Sequence, residues 1–280
     1  MGLILEDLVF DEDQDYISLA EFLADIITSP HNQHCIVRIV GSAGTGKSWA
    51  AVDLAIEVSK IVAERKGGIP ENYYNFKENL AVMNKEDIKR VMTNPRIYAI
   101  IHLDDVGVPV NARNYQDQYN IDFNDIIQTF RPNHNLVIMT MQAAFLIDKV
   151  PRTLAHIEIE MESANFDEGF TVAKVQRIVL KHKTGKIHYP YLVINGVKYV
   201  RHIFEKPDEI LMEEYERVRA ISLKKLNEPE PIITVEQRVT IKGRVKELHR
   251  DWEAGLFGEL SFKKVCIANK INYGYAMNVI

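Results

Sequence analysis

The segment Gly41-Ser42-Ala43-Gly44-Thr45-Gly46-Lys47-Ser48 follows the apolar run Cys35-Ile36-Val37-Arg38-Ile39-Val40 directly and opens a helical pattern from Trp49 to Glu64. A strand that ends in Gly-x4-Gly-Lys-Ser and continues as a helix has few folds open to it. Glycines let the loop turn its backbone N–H groups inward, and the helix start adds the positive end of a dipole, so the loop becomes an anion cradle. Lys47 is then expected to meet the β- and γ-phosphates of ATP and Ser48 to ligate Mg²⁺, with Gly41 to Gly46 and Trp49 completing the nucleotide contacts.

A phosphate loop of this kind needs a carboxylate on the metal side, at the end of a neighbouring strand. Ile100-Ile101-His102-Leu103-Asp104-Asp105 has the required form, mostly apolar residues followed by acids. Asp104 is expected in the Mg²⁺ shell, and Asp105 stands where many ATPases place a water-activating Glu. Asp reaches less far than Glu, which leaves the general base open. A further apolar run, Asn135 to Met141, ends in Gln142, a residue placed to sense the γ-phosphate or to position water.

The rest of the chain supplies an alternating frame. Helical spacing over Tyr16 to Ile27, strands at Leu80 to Met83, Ile97 to Leu103, Asn135 to Met141 and His156 to Met161, and helices at Lys85 to Met92 and Asn120 to Phe130 predict an α/β fold with a mainly parallel sheet. After Phe170 the pattern changes to antiparallel strands: Phe170 to Leu180, Ile187 to Val193 and Tyr199 to Phe204. Their turns are Lys183-Thr184-Gly185 and Asn195-Gly196. A charged helix opens at Pro207 and runs to about Lys225, and Asn227 to Pro231 reads as a linker. The expected division is 1–205 for the core with its β extension, 206–231 for helix and linker, and 232–280 for a small helical domain. Within that domain Ser261 to Ile280 reads as helix, tight turn, helix. Val265, Cys266, Ile271, Ala276 and Val279 are spaced for packing, and Asn272 is placed to cap the second helix. Tyr273, Tyr275 and Asn278 are expected to face outward toward DNA, with Lys263, Lys264 and Lys270 near phosphates.

Taken in order, the phosphate loop, Leu103-Asp104-Asp105, Arg131-x-x-His134, Val137 to Gln142, Ile147-Asp148 and Arg152 resemble the FtsK–HerA superfamily. Within it they are most similar to the zonula-occludens-toxin-like and mobile-element ATPases of viruses and plasmids. The likeness covers roughly residues 33–205, and it departs at Asp105, where Glu is usual, and at the Pro132-Asn133 spacing. It implies a RecA-like core that assembles as a ring, often a hexamer, and moves along DNA. It also implies a sensor role for Gln142 and an arginine, Arg131 or preferably Arg152, reaching a neighbour's nucleotide.

Composition bounds these readings. The net charge of −5 argues against a chain that coats nucleic acid over its whole surface, yet residues 238–250 hold five Lys or Arg, enough for a local basic face. No run approaches the ~18 apolar residues of a membrane span, and the acidic start, Met1 to Asp15, does not read as a signal peptide. Cys35 and Cys266, far apart and in apolar surroundings, predict buried thiols in a reducing, cytoplasmic compartment. A DNA motor of a mobile element and an ATP-dependent DNA-binding switch or helicase loader both remain open. A small-molecule kinase is disfavoured because no arginine-rich lid is evident.

Overall fold

The computed structural model describes residues 17–31, 33–107, 123–127, 133–227, 235–257, 260–269, 271 and 273–280, with backbone only for 225–227 and 235–241. Two units divide the chain between Asn227 and Glu228.

In the first unit, the uninterrupted apolar runs become the central strands of a sheet covered on both faces. β1 (Cys35–Val40), β2 (Leu80–Val82), β3 (Ile100–Asp104), β4 (Leu136–Met141) and the start of β5 (Ile157–Asn165) run parallel, in the order β5-β1-β4-β3-β2. With the phosphate loop after β1 and the acid at the end of β3, and β4 between them, this is the RecA-like order. Two antiparallel strands extend the sheet beyond β5: β6 (Phe170–Arg177), then β11 (His202–Glu205) at the edge.

Side-chain alternation sends each strand's residues to two separate cores. Cys35, Val37 and Ile39 join Ile100, Leu136 and Ile138 against α1 (Leu19–Thr28) and α2 (Lys47–Lys66). Ile36, Val40, Ile101, Leu103, Val137 and Met139 face the other way. There they meet α4 (Lys85–Met92) and a helical segment, α5, described over 123–127. The same parity places His102, Asp104 and Thr140 on the α2 face, which matters below. A short α3 (Phe76–Asn79) precedes β2, and α6 (Lys149–Leu154) precedes β5.

Arg38 breaks the apolar run of β1, and its surroundings explain how. Fully buried, it donates through Nε to Glu158 of β5 at 2.5 Å, through Nη1 to the Arg152 carbonyl at 2.9 Å and through Nη2 to Tyr189 at 2.9 Å. A buried charge is tolerated only when paired and hydrogen-bonded in this way.

The antiparallel region is more divided than its sequence suggests. Ile187 to Val193 splits at Pro190, which has no N–H to give to a ladder. The result is a hairpin of β7 (Val179–Lys181) with β8 (Lys186–His188) and another of β9 (Leu192–Ile194) with β10 (Val197–Tyr199). The second turns on Asn195 and Gly196, both at positive φ (50° and 86°), as the tight hairpin turn requires. Tyr199 and Phe204, read together as one strand, fall in different sheets, and the Tyr199 hydroxyl donates to the Ile17 carbonyl. Helix α7 (Glu209–Asn227) closes the first unit; Tyr215 is fully buried in the α2-side core.

The second unit is a small helical assembly. α8 (Val235–Glu253), α9 (Phe262–Ala268) and α10 (Tyr273–Met277) enclose Val245, Phe262, Val265, Cys266 and Ala276, with Ile271 and Val279 packed alongside. All five packing positions expected from spacing are therefore in or against its core. Tyr273, Tyr275, Asn278, Lys263 and Lys264 are exposed; Lys270 and Asn272 lie outside the described residues. Both cysteines are free and buried. Among the described residues no helix is long and apolar enough to cross a membrane.

Candidate nucleotide site

The loop between β1 and α2 has the conformation its glycines permit. Gly44 and Gly46 adopt φ of 76° and 79°, a left-handed backbone that costs other residues energy. Gly46 is constrained twice, since a Cβ there would stand 2.3 Å from the Thr171 methyl on β6. Lys47 Nζ and Thr45 Oγ1 both donate to the Ser42 carbonyl, at 2.7 and 2.8 Å. This leaves the Lys47 ammonium at the loop. Burial lowers its pKa, while Asp105 and Asp104 act in the opposite direction.

β3 delivers Asp104 fully buried on the α2 face. Its Oδ1 accepts from Thr140 at 2.6 Å and from Ser48 at 3.2 Å, and its Oδ2 accepts from Tyr215 of α7 at 2.6 Å. His102 Nε2 stands 3.6 Å from Oδ1, beyond hydrogen-bonding distance, so it contributes as a nearby dipole or charge. Tyr74, its pKa raised well above the usual phenol value chiefly by burial, stays protonated, and its hydroxyl shares a hydrogen bond of 3.0 Å with His102 Nδ1. Burial alone pushes the Asp104 carboxyl up, but His102, Thr140 and Tyr215 outweigh it and hold it at about 2. Asp104 is an anion at any physiological pH.

Asp105 follows at φ 48°, a strained backbone for a residue with a side chain, anchored by its N–H to Thr140 Oγ1 at 2.9 Å. Burial, and then the charge of Asp104, raise its carboxyl above the usual range; Lys47 and Arg219 work against that shift. A raised carboxyl beside a phosphate loop suits a group that takes a proton from water.

These groups surround one pocket of about 400 Å³ at the carboxyl ends of the strands. The P-loop lines it from Ala43 to Trp49, together with Asp105, Gln142 and Met212, Tyr215, Glu216 and Arg219 of α7. Trp49 meets Phe166 edge to face at 4.9 Å, with Lys206 Nζ 5.7 Å from its ring. Oxygen ligands suit Mg²⁺, which is usually held by one or two protein groups plus phosphates. Ser48 Oγ beside a buried, ionised Asp104 fits that demand. Among the described residues, no group of three or more His, Cys, Asp or Glu could hold a metal by itself.

The expected site residues divide accordingly. Lys47, Ser48, Trp49, Asp105 and Gln142 share the pocket, with Asp104 bonded just beneath it. Arg152 does not line it. Its Nε is buried without a hydrogen-bond partner among the described residues, and its carbonyl holds Arg38. Arg131 lies outside the described residues. Sequence reading passed over Thr140, His102, Tyr215 and Arg219. The first two carried a signal, a polar side chain inside a buried apolar run, which must find a partner. The last two sit on a helix whose path over the site no local pattern reveals.

No family model matches the chain, and no curated protein does. Solved structures do match. The N-terminal domain of zonular occludens toxin from Neisseria meningitidis is 15% identical, covering 59% of this chain and 98% of its own, with a TM-score of 0.38. The genome-packaging NTPase B204 of Sulfolobus turreted icosahedral virus 2, solved with ATP-gammaS, is 10% identical over 57% of this chain and 98% of its own, at a TM-score of 0.34. The flagellar accessory protein FlaH of Methanocaldococcus jannaschii is 16% identical over 63% and 98%, at 0.31. At such identities and scores, it is the strand order and loop geometry of the chain itself that make its first unit a RecA-like P-loop fold.

Proposed function

We propose that the chain is an ATPase that hydrolyses Mg·ATP to ADP and phosphate, and that it serves as a DNA-associated motor of a mobile genetic element. The observation that carries this reading is the meeting of Lys47, Ser48, Asp105 and Gln142 in one pocket above an ionised Asp104. Lys47 and the N–H groups of the loop bind the β- and γ-phosphates. Ser48 and Asp104 would hold Mg²⁺, which would supply positive charge against the phosphoryl oxygens. Asp105 draws a proton from the attacking water and Gln142 orients it. Arg152, or Arg131, stabilises the transition state from a neighbouring subunit of a ring. The order of motifs supports the ring, and the exposed Tyr273, Tyr275, Asn278, Lys263 and Lys264 support DNA contact by a separate C-terminal domain. The chain would work in the cytoplasm.

A second reading, an ATP-dependent DNA-binding switch, is favoured by the Tyr215 hydroxyl seated on Asp104 Oδ2 and by Asp at position 105, both of which suit slow turnover.

Steady-state ATPase assays with and without double-stranded DNA, on wild type and Lys47→Ala, test the reading. DNA stimulation that disappears in Lys47→Ala supports the motor. Turnover indifferent to DNA sinks the motor and leaves the switch.

A further inference from the structure

One face of α7 faces the nucleotide pocket. Met212, Tyr215, Glu216 and Arg219 follow the i, i+3, i+4, i+7 spacing of a helix stripe, and all four line it. Tyr215 fixes the helix by its 2.6 Å bond to Asp104 Oδ2. Arg219 stands one turn further along.

Arg219 keeps one donor unmet. Its Nε is buried and has no hydrogen-bond partner among the described residues. Its Nη1 lies 3.5 Å from Glu216 Oε1, and that carboxylate is 57% exposed, a pairing of little strength. Arg219 and Lys47 repel each other across the pocket, while Asp104 and Asp105 attract both. Two cations converging on one cavity, one with an unused donor, call for a multiply charged anion between them. A guanidinium suits phosphate because its donors lie in a planar fork.

The side of the pocket identifies the phosphate. α7 begins near Trp49, where Lys206 lies over the indole, then passes Asp104 at Tyr215. Arg219 lies one turn beyond Tyr215 and interacts with both carboxylates of the acidic pair, Asp104 and Asp105. We propose that Arg219 recognises the terminal phosphate of the triphosphate, acting within its own chain. This rests on the nucleotide binding proposed above and adds to it a residue that distinguishes ATP from ADP.

The test is equilibrium titration of wild type, Arg219→Ala, Arg219→Lys and Lys47→Ala with fluorescently labelled ATP-gammaS and ADP in Mg²⁺. Arg219→Ala weakens the triphosphate about tenfold, equivalent to about 1.4 kcal/mol, and leaves the diphosphate within about twofold. Arg219→Lys restores part of the loss. Lys47→Ala weakens both. Equal weakening of the two nucleotides by Arg219→Ala, or of neither, overturns the assignment while nucleotide binding stands. Failure of wild type to bind either nucleotide overturns both. A melting temperature of each variant close to wild type confirms that the pocket is intact.

Discussion

Removing a single oxygen, in Tyr215→Phe, tests the polar network under the pocket. The lost hydroxyl donates to a fully buried carboxylate at 2.6 Å, and the ring itself is fully buried, so packing is preserved. Hydrogen bonds to charged groups contribute roughly 1.5–3 kcal/mol, and the orphaned carboxylate oxygen retains its desolvation cost. At ~2–4 °C per kcal/mol for a unit of this size, the melting temperature should fall by roughly 3–12 °C. pH adds a second readout. Asp104 is held at about 2, below the 3.8 of a free Asp. It therefore contributes stability that is full above about pH 4 and lost as pH falls toward 2. With one donor fewer, its pKa rises, and the acid-unfolding limb shifts to higher pH. The assay is thermal melting of wild type and Tyr215→Phe across pH 2–7. A melting curve within about 1 °C of wild type, with an unmoved acid limb, would show that the hydroxyl does not stabilise the Asp104 carboxylate.

Other consequences follow from particular contacts. Gly46→Ala combines a φ of 79° with a Cβ 2.3 Å from Thr171 Cγ2. Chemical denaturation should show a loss of at least ~1–2 kcal/mol, only partly relieved by Thr171→Ser because the backbone strain remains. Breaking the Arg38–Glu158 pair by Glu158→Gln or Arg38→Met should each cost ~3–5 kcal/mol, while the double change costs less than their sum; additive losses in the denaturation cycle would contradict the pairing. Asp53 on α2 is pushed up to about 7 by burial and by Glu57 and Glu205. A carboxyl raised in the folded state stabilises less as pH climbs from about 4 through 7. Asp53→Asn should therefore be more stable than wild type at pH 8 and show no gain at pH 4, read by chemical denaturation at both pH values.

The frame was legible where one physical cause dominates. A Gly-Lys-Ser loop between a strand and a helix allows few alternatives, and strands buried on both faces announce themselves as apolar runs, as in Ile100–Asp104 and Leu136–Met141. The order in which those strands lie side by side was not written locally. Nor was the position of α7, because its stripe of Met212, Tyr215, Glu216 and Arg219 mixes apolar and charged residues and reads as an ordinary solvated helix. Its mixed face makes sense only against a polar pocket. Thr140 and His102 fall between these cases. Each is conspicuous as a polar residue in a buried strand, yet only the shared side-chain parity of β3 and β4 shows that both serve Asp104.

In the proposed site Asp104 and Ser48 hold a metal against a nucleotide bound by Lys47. Calorimetric titration of ATP into wild type and Asp104→Asn, with and without Mg²⁺, tests it most directly. Mg²⁺ should tighten ATP binding to wild type and do little for Asp104→Asn. Absence of ATP binding to wild type, or an equal response to Mg²⁺ in both proteins, would contradict the account.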